Sequence, residues 1–496
     1  MFDYSDNTME KFVKQFNYIY LSFILCIAIT LFDTVNLRQD TVAILTLPQF
    51  LFVFFFLFKK DYRTAFLLHL TFVVACVSGG TAIEGGPSDF LYTNCRVYGP
   101  LTLNIIILSW LWIAVQNKPI LVKKDSLLLK CRKIFLYLLI SGSAIGAFGC
   151  IFINYYSWQY WIYQFLFVLN AYFVLDIYIH LYNENYSKLT AITTICMMAA
   201  APIASVVSFT VFGVHSFYGL SEEIPFTIPI IGLTPCLLIA LFQVNSFKLK
   251  TISIIGLVFY AVHLMILSRG SQFLDVFIAL SLLVYLVYFK KSKNFQLKGL
   301  KLFLPFLVIF VLPFAIDSIV ANSDVSSRKY EQFTSLFSVF DFTGGKGGFN
   351  IDEVGRSPYI RLAELTNIVH EGFQYVFPLF LGKGFGGYYS DSLNLFLGID
   401  LTLGAFSDEI VAGGRFYNAH SAIPSVLHFN GFIGLFFMAK IAFSYLRRVD
   451  KSFLVFAAFV LFLQSFYFDI YGCFSYIMAL CGAEYMINSS KTSKSL

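Results

Sequence analysis

The sequence predicts an all-α fold: a polytopic integral membrane protein of about fourteen transmembrane helices, with one large loop on its outer side that carries short helices. Three observations predict it. Of the 496 residues, 58% are hydrophobic and only 13% charged, where a soluble domain carries roughly 25% charged residues. Mean hydropathy is +0.73, so most of the chain suits lipid better than a water-facing shell. Apolar segments of the length needed to cross a hydrocarbon core of about 30 Å recur from one end to the other.

Those segments fall at roughly 18–32, 42–58, 64–82, 99–116, 134–153, 159–181, 189–212, 228–243, 251–268, 271–289, 302–320, 419–440, 453–468 and 470–487. Basic residues collect in alternate connections. Lys59, Lys60 and Arg63 follow the second span, and Lys118, Lys123, Lys124, Lys130, Arg132 and Lys133 follow the fourth. Lys248 and Lys250 follow the eighth, Lys290, Lys291, Lys293, Lys298 and Lys301 the tenth, and Arg447, Arg448 and Lys451 the twelfth. Single crossings put all these connections on one side, and Lys/Arg excess marks that side as cytoplasmic. Both termini are then cytoplasmic. The chain divides into helices 1–11 over 1–320, a large outer loop over 321–418, and helices 12–14 with a cytoplasmic tail over 419–496.

Composition also excludes. The net charge of +6 resides in these short connections and orients the spans, so it implies no nucleic-acid partner. The nine cysteines are scattered mostly through the spans, the large loop has none, and no Cys/His ligand spacing appears; a disulfide framework and a metal site are not expected. The polar N-terminus runs into the first span without the small-residue pattern of a cleavable leader. Phe, with 59 residues, and Tyr, with 30, read either as lipid-facing filler or as a surface for a long lipid.

The large loop is soluble in composition and slightly acidic, with 11 Asp/Glu against 7 Lys/Arg. Loops of this length are functional or disordered, and this one has structure signals. Ser357-Pro358 is a helix start, with Ser as N-cap and Pro at the first position, and the helix should reach Val369 or Gly372. Phe377-Pro378-Leu379-Phe380-Leu381 returns to apolar character but is too short to span, and a Gly-rich turn follows at 382–387.

Several polar residues are candidates for chemistry. Arg269, in Leu267-Ser268-Arg269-Gly270-Ser271, sits at a tight outer turn between two spans. An arginine deep in a bilayer costs at least about 2.5–3.5 kcal/mol, so at headgroup depth it either forks onto an anionic group or snorkels as an anchor. Arg356, Arg361, Lys383 and Arg415 form a basic set in the loop; guanidinium groups suit phosphate oxygens, and the glycines around Gly384 would let backbone amides approach an anion. This is not a Walker A loop, because its spacing differs. His420, beside Asn418 and Ser421 where the loop re-enters the membrane, could take a proton from a sugar hydroxyl, or be a satisfied interfacial histidine. His428, two turns further, reads as packed or hydrogen-bonded. Asp408 and Glu409 read mainly as solvated loop charges, with substrate contact as the alternative, and Asp176 and Asp275, inside spans, are candidate sites with no partner assignable from sequence.

Taken in order, three motifs resemble the bacterial O-antigen polymerase and O-antigen ligase superfamily. They are Leu267-Ser268-Arg269-Gly270 at a hairpin end; Arg361, a helix, Pro378 and Leu381-Gly382-Lys383-Gly384-Phe385-Gly386; and Asn418-Ala419-His420-Ser421 followed by Asn430-Gly431-Phe432-Ile433-Gly434-Leu435. Ser421 departs from the family's His–Asn pair. The resemblance covers mainly 250–440. It implies a metal-independent glycosyltransferase without cofactors, in the bacterial inner membrane, with the large loop periplasmic. Its partners would be an undecaprenyl-diphosphate-linked oligosaccharide, membrane lipid and a chain-length regulator protein. His420, Arg269 and Arg361 would be catalytic; Lys383, Arg415, Arg356 and Gly384 would bind substrate. Polymerase is favoured over ligase by the number of spans. A lipid-linked oligosaccharide flippase is the reading from a different class, kept open by Pro225, Pro229 and Pro235 around the eighth span, although no internal repeat is visible.

Overall fold

The computed structural model describes residues 18–36, 43–75, 126–212, 234–241, 244, 246–267, 356–396, 406, 408–419, 422–448 and 478–486. Among these the regular structure is helical, and no strand forms beyond a single bridge. The helices are α1 (Tyr18–Asn36), α2 (Ala43–Phe58), α3 (Tyr62–Ala75), α4 (Leu127–Phe152), α5 (Trp158–Leu181), α6 (Glu184–Phe212), α7 (Thr234–Ala240), α8 (Phe247–Leu267), α9 (Arg356–Gln374), α10 (Val376–Leu381), α11 (Asp408–Gly413) and α12 (Ala422–Leu446). Residues 478–486 are also helical. Segments Leu127–Phe152, Asn185–Val211 and Ile423–Tyr445 are each long and apolar enough to cross a membrane. The predicted spans at 99–116, 271–289, 302–320 and 453–468, and with them Asp275, lie outside the described residues. So do 321–355 of the predicted large loop.

The chain forms two compact units. The first comprises 1–136, 166–263 and 441–496, and α6 is its axis. The run Met197-Met198-Ala199-Ala200-Ala201 on α6 is wholly buried, and small side chains let helices approach closely, as membrane bundles require. A Cβ on Gly256 of α8 would lie 2.9 Å from the Ala199 Cβ, and one on Gly482 would lie 3.2 Å from the Ala191 Cα. Helix α1 packs along α6, and α3 rests against both. Thr190, Thr193, Thr194 and Ser208 return their hydroxyls to carbonyls four residues earlier, which satisfies them without water. Asp176 has the partner that sequence could not assign: Arg132 Nη2 lies 2.7 Å from its Oδ1, and His180 is one turn away. A charge in an apolar span is retained where such a partner offsets its desolvation.

The second unit comprises 137–165 and 264–440. Helix α9 begins at Arg356 and ends at Gln374, two residues before the expected first position at Pro358 and two after the further expected end, so Ser357 lies inside the helix and is not its N-cap. Its pattern explains its seat: Ile360, Ala363, Glu364, Asn367, Ile368 and Glu371 recur at three- and four-residue intervals and are buried, whereas Arg361, Thr366 and Phe373 face out. The apolar members join Tyr389, Phe396, Phe416, Ala419 and Leu427 in a small core. The described residues of 356–419 therefore gather round a small hydrophobic centre that Leu427 of α12 completes.

Candidate functional site

The centre of the second unit is the glycine run Gly382-Lys383-Gly384-Phe385-Gly386-Gly387, which lies against α4 and α12. Gly382, Gly384 and Gly386 all have positive φ, at 78°, 73° and 74°, a region that L side chains rarely occupy. A Cβ on Gly384 would lie 2.2 Å from the Gly146 nitrogen of α4, and one on Gly382 would lie 2.3 Å from the Phe429 carbonyl carbon of α12. Backbone thus touches backbone on both sides. Helix α12 accommodates the run by breaking: Gly431 takes φ 62° and ψ −163° inside it. Freed from regular helical pairing, the carbonyls of His428 and Phe429 accept from the Lys383 and Gly384 amides, at 2.7 and 3.1 Å. The Phe385 amide donates to Gly142 of α4 at 2.9 Å, and the Gly386 amide to Gln164 Oε1 of α5 at 2.7 Å.

This corrects one expectation. The amides around Gly384 do not converge on an anion, because Gly382 to Gly387 each donate to an acceptor within the protein. The glycines serve close helix–loop packing. Lys383 is corrected in the same way. Its Nζ reaches Glu371 Oε2 at 2.6 Å and the Tyr388 carbonyl at 2.7 Å. Glu371 also accepts from the Ser390 amide and hydroxyl. Burial alone would raise the Glu371 carboxyl pKa, but the Lys383 ammonium and these hydrogen bonds outweigh it and hold it below the ordinary glutamate value. Lys383 is thus the cation of a structural ion pair. His428 is buried as expected: its Nε2 donates to the Gly387 carbonyl at 3.1 Å.

Two short backbone segments meet next to the run. Tyr389 and Phe416 pair as an antiparallel bridge, with N–O distances of 3.0 and 2.9 Å, and their rings stack in the small core. Alternation along extended backbone sends their neighbours Tyr388, Arg415 and Tyr417 to the other side. There the connection between α4 and α5 meets them. The Arg415 guanidinium lies 3.7 Å from the Tyr155 ring centroid and 6.0 Å from that of Tyr388. Tyr417 stacks on Tyr160 at 4.2 Å and 5°, and its hydroxyl donates to the Tyr155 carbonyl at 3.0 Å. Gln164, buried on α5, ties the assembly together, donating through Nε2 to the Tyr417 carbonyl and the Asn418 Oδ1, both at 2.8 Å. Burial pushes the Tyr156 hydroxyl up to about 12 and raises Tyr417, so both phenols stay neutral. Arg415 is half-buried, and among the described residues no carboxylate pairs with it.

Arg361 projects from the exposed face of α9, and no described acid pairs with it either. Arg356 begins α9, with only its backbone described. Arg269 and His420 lie outside the described residues. Of the expected basic set, then, Arg415 has a defined cradle, Arg361 is solvent-facing, and Lys383 is already paired. Reading by motif missed Tyr155, Gln164, Tyr388 and Tyr417. One signal was legible: Gly142-xxx-Gly146, three residues before Gly149, is the small-residue spacing of a close helix contact.

Among the described residues the chain is helical, and its three helices long and apolar enough to cross a membrane put it with the helical membrane proteins. Compared with protein-family models, with curated proteins and with solved structures, the chain gives no match. Among the described residues no group of His, Cys, Asp and Glu could hold a metal ion.

Proposed function

We propose that this chain is a lipid-linked polysaccharide polymerase of the O-antigen type. It transfers a growing glycan from undecaprenyl diphosphate onto the next lipid-linked repeat unit at the outer face of the bacterial inner membrane. The observation that carries this reading is Arg415: a guanidinium held in a tyrosine cradle at the foot of a membrane helix, with no carboxylate beside it among the described residues. Such a group is suited to a diphosphate in the headgroup layer. The order of Arg269, Arg361 and His420 around the same segment supports it further.

The acceptor hydroxyl oxygen forms a bond to the anomeric carbon of the donor glycan. The bond from that carbon to the diphosphate oxygen breaks, and undecaprenyl diphosphate leaves with the electron pair. Arg415, Arg269 and Arg361 offset the charge that grows on the leaving diphosphate. His420 accepts the acceptor's proton. The donor bond is itself activated, so no nucleotide is consumed.

The test is a surface-polysaccharide gel from the host with this gene deleted, then complemented. Collapse of the ladder to core plus one repeat, restored by the wild type but not by Arg415→Ala or His420→Ala at equal protein level, is the expected result. Loss of every repeat, with long glycan still on the lipid carrier, would identify a ligase. An intact ladder would refute both.

A further inference from the structure

The connection between α4 and α5 belongs to none of the motifs above, yet it carries the least relaxed backbone near Arg415. Tyr155 is a non-glycine residue at φ 75°, a conformation that costs energy for a side chain with a Cβ and persists only where neighbours impose it. Three contacts impose it. The Tyr417 hydroxyl holds the Tyr155 carbonyl at 3.0 Å, Arg415 covers one part of its ring, and Tyr388 meets it edge-on at 6.5 Å between centroids. In spite of these contacts Tyr155 is 57% exposed, and Trp158, three residues on, is 47% exposed. Trp158 is braced from behind by Trp161, which stacks on Phe165 at 5.0 Å. Half-exposed aromatic faces next to a guanidinium that no described carboxylate pairs match one ligand chemistry well. A sugar ring offers polarised C–H bonds to the negative face of an aromatic ring, and an anionic substituent on that sugar reaches the guanidinium.

We propose that Tyr155 and Trp158, with Arg415 between the tyrosines, form a recognition subsite for an anionic sugar, in which the rings receive the sugar face and Arg415 its phosphate or carboxylate. This rests on the reading of the chain as a glycan polymerase and adds to it the residues that select the sugar. The anion has two sources: the phosphate that links the donor sugar to its lipid, or an acidic sugar within the repeat.

The experiment is titration of the detergent-purified full chain with N-acetylglucosamine 1-phosphate, glucuronate, N-acetylglucosamine and inorganic phosphate, followed by tryptophan fluorescence and calorimetry. One of the two anionic sugars should bind at least roughly tenfold tighter than both the neutral sugar and inorganic phosphate, as expected when ring and guanidinium act together. Preference for the sugar phosphate assigns the lipid-linked end, whereas preference for glucuronate assigns an acidic repeat and removes Arg415 from the leaving diphosphate. Tyr155→Leu should lose this advantage while inorganic phosphate binding is unchanged, and Tyr155→Phe should keep it. Arg415→Lys should weaken both anions by roughly tenfold, because an ammonium lacks the guanidinium fork. An anionic sugar that binds no better than phosphate, or Tyr155→Leu without effect in a variant that melts like wild type, overturns the subsite and leaves Tyr155 and Trp158 as interfacial anchors. The polysaccharide gel fails or succeeds independently: a collapsed ladder with no binding here refutes only the subsite, and binding with an intact ladder refutes only the polymerase.

Discussion

Replacing Gly384 by Ala tests whether the glycine run is wedged between α4 and α12. Two costs add. An alanine at φ 73° is disfavoured by about 1–2 kcal/mol. Its Cβ would also meet the Gly146 nitrogen at 2.2 Å and the Gly142 carbonyl oxygen at 2.8 Å. Those neighbours are main chain and cannot rotate aside, so a further cost of about 1–3 kcal/mol for overpacking applies. Together the substitution should destabilise by about 2–5 kcal/mol. Two other glycines separate the terms. Gly414 has φ 59° and nothing within 4 Å of a built Cβ, so Gly414→Ala should show only the backbone cost. Gly413 ends α11 with nothing within 4 Å and no positive φ, so Gly413→Ala should be neutral or slightly stabilising. The assay is the half-unfolding temperature of the detergent-purified variants. The expected order of loss is Gly384→Ala, then Gly414→Ala, then Gly413→Ala. If Gly384→Ala melts with Gly414→Ala, the close approach to α4 is wrong; if it melts with Gly413→Ala, the left-handed backbone is wrong as well.

Three further predictions follow from the same unit. Because the Glu371 carboxyl is held below its ordinary value, the Glu371–Lys383 pair contributes fully above the unfolded-state pKa and is lost as pH falls through the lower folded value; wild type should lose stability in the acid limb below about pH 4, and Glu371→Gln should flatten that limb. Lys383→Met alone should cost about 1.5–3 kcal/mol by leaving the carboxylate unpaired, and Glu371→Gln combined with Lys383→Met should cost less than the sum in a thermal double-mutant cycle. Asn430→Leu should destabilise by about 1–3 kcal/mol, since its Nδ2 donates to the Leu138 carbonyl at 3.1 Å and to Ser141 Oγ at 2.9 Å on α4; unchanged melting would show that the α4–α12 contact does not depend on it. Val376, Phe377 and Phe380 of α10 are more than half exposed, and Phe380 meets Phe432 on the outward face of α12 at 6.1 Å, so α10 should rest in the bilayer interface. An environment-sensitive dye on Phe377→Cys in nanodiscs should emit blue-shifted relative to one on the exposed Ser392→Cys, and equal emission would refute that contact.

How much of this was legible in the sequence depended on which signals are local. Helix α9 was legible because Ser357-Pro358 and the three–four spacing of its apolar residues lie within one segment. The apolar return at Phe377–Leu381 was legible too, and it forms α10. The role of Gly384 was not. A glycine run reads alike whether its amides face a ligand or a neighbouring helix, and the deciding acceptors, Gly142 and Phe429, lie far away in sequence. The pairing of Lys383 was not legible for a related reason: its partner Glu371 sits on α9 while Lys383 lies in the run beyond α10, and only the fold brings ammonium and carboxylate to 2.6 Å. Tyr155 carried no motif, since its significance lies in a backbone angle and in contacts with residues more than two hundred positions on.

The kink in α12 and the fold of the glycine run are one event. The His428 and Phe429 carbonyls find acceptable partners only if Lys383 and Gly384 arrive, and those residues can arrive only if Gly431 yields, since a Cβ there would lie 2.3 Å from the Phe380 carbonyl. Neither half is stable alone, because each would leave buried backbone groups unsatisfied. The bridge between Tyr389 and Phe416 begins two residues after this run, and Gln164 binds both Gly386 and Tyr417. The cradle of Arg415 is therefore referenced to α4, α5 and α12 together through hydrogen bonds rather than through flexible side chains. Two kinds of loss of function should then be separable. Gly431→Ala should lower stability and activity together, whereas Arg415→Lys should leave the melting temperature in place and lower activity alone. If Arg415→Lys melted as low as Gly431→Ala, Arg415 would be a structural element of the cradle and not the group the cradle presents.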